Sequence, residues 1–109
     1  MSDSATAPDV RDDPDHSRFV LEQDGSEAEL VYIRHPGRLI LAHTEVPDAL
    51  GGHGIGGTLV RAAIERAAAE GLTVVPWCPF ARRWLREHED VAQTVNVDWT
   101  TPPPPASGD

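Results

Sequence analysis

The chain has 109 residues, with 18 acidic side chains against 9 basic ones and a formal charge of −9. That length suits one domain, and a hydrophobic share of 39% supplies a modest core. No apolar run approaches the roughly 18–20 residues that span a bilayer, and the acidic balance disfavours a nucleic-acid backbone as partner.

The opening residues, MSDSATAPDVRDD, are acidic and hold no apolar stretch, so neither a secretory signal nor an Arg-rich transit peptide is expected. The single cysteine, Cys78, excludes a disulfide framework and a cysteine-based zinc site. The five histidines show no metal-ligand spacing. These features together predict a reducing, cytoplasmic setting. All nine basic residues are arginine, which leaves neither a Schiff-base lysine nor a P-loop lysine.

Residues 1–17 carry five aspartates against Arg11 and few apolar side chains, and are expected to be a disordered acidic arm. The folded body is then 18–99. Residues 18–22 form a first strand candidate, closed by Asp24-Gly25, a strong hairpin signal. Alternation over 28–33 gives a second strand, broken by His35-Pro36-Gly37. Residues 39–46 give a third, ended by Pro47. These three are expected to form an antiparallel meander. Next comes a glycine-dense loop, Gly51-Gly52-His53-Gly54-Ile55-Gly56-Gly57, feeding a helix over 58–70. Leu59, Ala62, Ala63 and Ala67 share its inner face; Arg61–Glu65 and Arg66–Glu70 are candidate i,i+4 ion pairs on its wet side. Gly71 is a natural cap. Leu72-Thr73-Val74-Val75 reads as a buried strand stopped by Pro76, and Pro79 opens a second helix to about His88. Residues 91–99 fit either a short helical turn or a last strand. Residues 100–109, with Pro102 to Pro105, read as an extended proline-rich tail. The helix joining the last two strands is long enough to make them parallel, which predicts an α/β fold with a mixed sheet.

Glycines at a helix entrance let backbone N–H groups approach an anion, and the helix dipole adds about half a positive charge there. A phosphate site and a plain tight turn both fit that spacing. GxxxxGK[ST] is absent, and the order of elements does not match a dinucleotide fingerprint.

Three segments in order, His43-Thr44-Glu45-Val46-Pro47, Gly51 to Gly56, and Val75-Pro76-Trp77-Cys78-Pro79-Phe80, resemble the GNAT superfamily, and within it the small single-domain GNAT-like N-acetyltransferases. The resemblance covers roughly residues 18–90. It implies acetyl-CoA as cosubstrate, bound where strands 39–46 and 72–76 splay apart. Backbone groups near Thr44, Glu45 and Val46 would pair with the pantetheine arm, N–H groups of Gly52 to Gly57 would hold the diphosphate with Gly51 and His53 beside them, and the thioester would lie near Cys78. The superfamily prefers Arg or Gln where this chain has Gly51, a Tyr where it has Trp84, and a Pro where Glu89 follows His88.

Glu45 and His43 sit two apart on one strand and so face one side. Glu45 is a candidate base for the amine and His43 a candidate proton relay, against structural roles for both. Cys78 precedes a helix, where it is either a buried small hydrophobe or a thiol able to carry an acyl group. Trp77, Phe80 and Trp84 read as core and groove lining, and Arg82, Arg83 and Arg86 as a solvated face. The expected activity is acetyl transfer to an unidentified amine, small or protein-borne. The alternative is a CoA- or acyl-CoA-binding protein holding an acyl group on Cys78. No metal, nucleic acid or membrane partner is expected, and the chain should be a monomer or weak dimer.

Overall fold

A computed structural model describes residues 10–51 and 54–103. Five strands, β1 (Val10–Asp13), β2 (Arg18–Gln23), β3 (Ser26–His35), β4 (Arg38–Glu45) and β5 (Thr73–Pro76), form one sheet in that spatial order. The first four are antiparallel neighbours, and β5 lies parallel to β4. Helix α1 (Ile55–Glu70) makes the crossover, followed by α2 (Pro79–Glu87) and a single-turn α3 (Glu89–Ala92).

The turns follow from local chemistry. Asp24 and Gly25 both have positive φ, 53° and 81°, the pairing that a two-residue hairpin with right-twisted strands requires. Helix α1 stops at Gly71, whose left-handed backbone lets its own N–H bond the Ala68 carbonyl and the Leu72 N–H bond the Ala67 carbonyl. Leu59, Val60, Ala63, Ile64 and Ala67 pack against Phe19, Leu21, Leu30, Tyr32, Leu39 and Leu41 on one face of the sheet, with Leu85 and Ala81 of α2 completing the core.

Residues 10–17 depart from the disordered arm expected of them. Val10–Asp13 pairs with β2, and Pro14–His16 makes a 3-10 turn. Three of the four β1 side chains are charged, so the strand has no hydrophobic signature. It is held by partners distant in sequence: the Tyr32 hydroxyl donates to Asp12 at 2.7 Å and the Arg18 Nε to Asp13 at 3.2 Å. Residues 1–9 lie outside the described part.

Residues 91–99 combine both sequence readings. The short α3 precedes a segment that runs along the outer side of β5, where Val97 bridges Val74 in parallel. The Val74 N–H bonds the Asn96 carbonyl at 2.9 Å and the Asp98 N–H bonds the Val74 carbonyl at 2.8 Å. Asp98 then accepts from the Thr101 hydroxyl, the Thr100 N–H and Arg38, which together hold its carboxyl well below the usual carboxylate range. The start of the expected tail is thereby pinned, and the Trp77 indole N–H bonds the Thr101 carbonyl.

Candidate active site

The site forms where β4 and β5 part. Their parallel register runs from Arg38↔Thr73 to Leu41↔Pro76 and stops, while β4 continues to Glu45 along β3. The chain pivots there: the N–H groups of Trp77 and Cys78 both bond the Leu41 carbonyl, at 3.0 and 2.9 Å, and Pro79 starts α2. Among the described residues no strand pairs with the far half of β4 on that side, which leaves a V-shaped notch.

A β-bulge decides which side chains face into it. Tyr32 pairs with Leu41 but Val31 pairs with His43, so Ala42 is one extra residue in β4. The insertion shifts the alternation. Leu41 and Thr44 both point to the helical side, whereas His43 and Glu45 point to the opposite face. Thr44 meets Cys78 there, the thiol donating to its hydroxyl at 3.3 Å. Cys78 is 5% exposed and belongs to the core cluster.

Beyond the notch lies a mainly apolar cavity of about 510 Å³, lined on one side by Thr44, Val46 and Leu50 and on the other by the first turn of α1, Phe80 and Trp84. Gly54, in the left-handed region at φ 69°, leads into α1, and no side chain caps the helix. The Thr58 N–H bonds back to the Gly54 carbonyl at 3.0 Å, and the N–H groups of Ile55, Gly56 and Gly57, in the first turn, have no acceptor within the helix itself. The two glycines are required by neighbours, not by φ. A Cβ on Gly56 would lie 2.7 Å from the Phe80 ring, and one on Gly57 would lie 2.3 Å from the Trp84 Nε1. Phe80 and Trp84 occupy the space where helix α1 carries no side chains.

On the opposite side of Val46, a second groove of about 590 Å³ is lined by Glu27, Glu29, Glu45 and Asp48, with Arg18 as its one cation. Arg18 is engaged by the groove's own acids, at 2.7 Å from Glu29 and 3.2 Å from Glu27. His43 Nε2 stands 3.5 Å from a Glu45 carboxylate oxygen, with both side chains largely exposed.

Against this geometry, the model of the GCN5-related N-acetyltransferase family matches residues 18–95. The chain belongs to this family. The solution NMR structure of a GCN5-like protein from Staphylococcus aureus shares the fold at a TM-score of 0.65 and 24% identity, covering 84% of this chain and 91% of that one. Among curated proteins none matches. The mixed sheet with its antiparallel meander, splayed strand pair and two main helices is thus the N-acetyltransferase fold expected from the sequence.

The acetyltransferase gathers some of the sequence-predicted residues and separates others. Thr44, Val46, Gly51, Gly54, Ile55, Gly56 and Gly57 line the apolar cavity. Cys78 adjoins it through Thr44. Glu45 faces the acidic groove instead, and His43 lies beside it on the same face. Gly52 and His53 lie outside the described residues. Leu50 is an addition, the one bulky apolar side chain of its loop. Gly56 and Gly57 belong to α1, not to a loop, because α2 supplies the rings that pack on them. Among the described residues no cluster suited to a metal ion occurs, and no described helix is long and apolar enough to cross a membrane.

Proposed function

We infer that the chain transfers an acetyl group from acetyl-CoA to a primary amine at the notch between β4 and β5. The observation that carries this reading is the end of the β4–β5 register at Leu41↔Pro76, directly beside the first turn of α1 and an apolar cavity. A pantetheine arm is a narrow chain bearing two amides, which suits a gap one strand wide along Thr44 to Val46. The diphosphate suits the N–H groups of Ile55, Gly56 and Gly57 and the positive end of the α1 dipole. Acetyl-CoA supplies the activated acyl group.

An arm lying in the plane of the sheet presents its acyl end to both faces. The cavity on the helical face is taken by the coenzyme in this reading, so the acceptor arrives from the face bearing Glu45 and His43. Four carboxylates against one guanidinium line that groove, which favours an amine arriving as its ammonium ion. Glu45, directly or through a water, takes the proton that the amine must lose before attack, and His43 at 3.5 Å passes it to solvent. The groove is shallow and formed by few elements, which suits an exposed amine such as a protein N-terminus or lysine.

A second reading is favoured by the position of Cys78 at the pivot of the notch and at the N-cap of α2. Its sulfur would take the acetyl group as the CoA thioester bond breaks, its own proton going to the departing thiolate, and the chain would carry the acyl group without amine transfer.

Calorimetric titration with acetyl-CoA and free CoA, with turnover over an amine panel, tests the first reading. Binding of both ligands and turnover above the rate of hydrolysis are expected. Absence of coenzyme binding would end both readings, and binding without turnover would leave the second.

A further inference from the structure

We propose that Arg61 reads the 3′-phosphate of the coenzyme, making the chain selective for CoA over dephospho-CoA; this rests on the coenzyme site described above.

The sequence pairs Arg61 with Glu65, four residues on, yet the ion pairs of the described residues engage Arg18, Arg34, Arg38 and Arg66, and Arg61 is in none of them. Its guanidinium lies instead 5.4 Å from the centroid of the Trp84 ring. Helical geometry explains the direction. Side chains lean toward the helix N-terminus, so Arg61 leans over Gly57, four residues back, and Trp84 occupies the space above Gly57. Trp84 is itself fixed. It stacks on His88 at 3.9 Å between centroids and 12° between planes, and the His88 Nδ1 donates to the Trp84 carbonyl at 2.8 Å. An exposed cation with no ion-pair partner among the described residues thus rests on a rigid aromatic shelf, Trp84, that lines the cavity.

The order of residues along the cavity assigns its ligand. Cys78 and Thr44 mark the acyl end. Phe80 over Gly56 and Trp84 over Gly57 follow, as α2 climbs away from Cys78. Arg61 comes last, one turn beyond the N–H groups assigned to the diphosphate, where the nucleotide end of the coenzyme emerges. Of the α2 arginines, Arg82 and Arg86 turn toward Trp99, and Arg83 is exposed and packs on no ring among the described residues. Arg82 donates to the Pro76 and Trp99 carbonyls, and Arg86 lies 4.5 Å from the centroid of Trp99. A planar, delocalised guanidinium both stacks on an indole and grips a phosphate, which an ammonium does less well.

The test is calorimetric titration of the full chain with CoA and with dephospho-CoA, for the wild type, Arg61→Gln and Arg61→Lys. The wild type should bind CoA about tenfold more tightly than dephospho-CoA, a single charge-assisted phosphate contact. Arg61→Gln should abolish that difference by weakening CoA alone, and Arg61→Lys should keep part of it. Equal wild-type affinity for the two ligands, or an equal loss of both in Arg61→Gln, would overturn the role of Arg61 while leaving the coenzyme site intact. If the wild type binds neither ligand, the coenzyme site fails and this proposal with it.

Discussion

The Cys78 thiol donates to the Thr44 hydroxyl at 3.3 Å, and that bond ties the pivot after β5 to the far half of β4. The contact holds the narrow end of the notch at fixed width while burying the sulfur. If transfer to the amine is direct, incubation with acetyl-CoA without acceptor leaves the intact mass of the chain unchanged. An adduct of about 42 Da that disappears in Cys78→Ser would instead establish the acyl-cysteine route.

In the proposed mechanism Glu45 takes the amine proton. Glu45→Gln preserves shape and removes the base, so kcat should fall about a hundredfold or more while the Kd for acetyl-CoA, measured by calorimetry, stays within about twofold. His43→Gln should have a smaller effect on kcat, because a relay to solvent is replaceable by water. A Glu45→Gln enzyme with unaltered kcat would remove Glu45 from the mechanism.

Gly57→Ala separates helix propensity from packing. In a free helix the change stabilises by roughly 1 kcal/mol. Here the new Cβ would meet the Trp84 Nε1 at 2.3 Å, and Trp84 is held by His88. Overpacking costs roughly 1–3 kcal/mol, so the net effect should be destabilising, seen as a Tm lower by several degrees. Trp84→Leu in the same chain should recover part of that loss. A rise in Tm for Gly57→Ala alone would contradict the packing.

Asp98 makes stability depend on pH. Its folded pKa is depressed by the Thr101 hydroxyl, the Thr100 N–H and Arg38, whereas in the unfolded chain it titrates near 4. Its contribution is therefore complete above about pH 4 and is lost as the pH falls from there toward the folded value. The urea midpoint of Asp98→Asn should lie below that of the wild type at pH 7, and the gap should narrow below about pH 4. A gap independent of pH would mean that the carboxylate charge contributes nothing.

Where a feature rests on local chemistry, it is legible in the sequence. Asp24-Gly25 and Pro36-Gly37 mark the β2–β3 and β3–β4 turns, Gly71 the end of α1, and Pro79 the start of α2. The features that escape are those made by residues far apart. Strand β1 has charged side chains and is recognisable only through β2, Tyr32 and Arg18. The bulge at Ala42 has no composition of its own, yet it sends Thr44 to one face and Glu45 to the other. Gly56 and Gly57 suit a loop as well as a helix until Phe80 and Trp84 are known to pack on them. Arg61 leaves a plausible partner in Glu65 for an indole 23 residues later, which periodicity does not reveal.

The two margins of the sheet differ in exposure. On the β5 side, the segment through Asn96 and Asp98 satisfies Val74, so another chain finds no ladder to join there. On the other side, β1 is the last described strand, and it is four residues long with Arg11, Asp12 and Asp13 among them. Short length and dense charge discourage intermolecular strand addition and fibril growth. The strand that looks least like one thus makes this margin a poor template for a further strand.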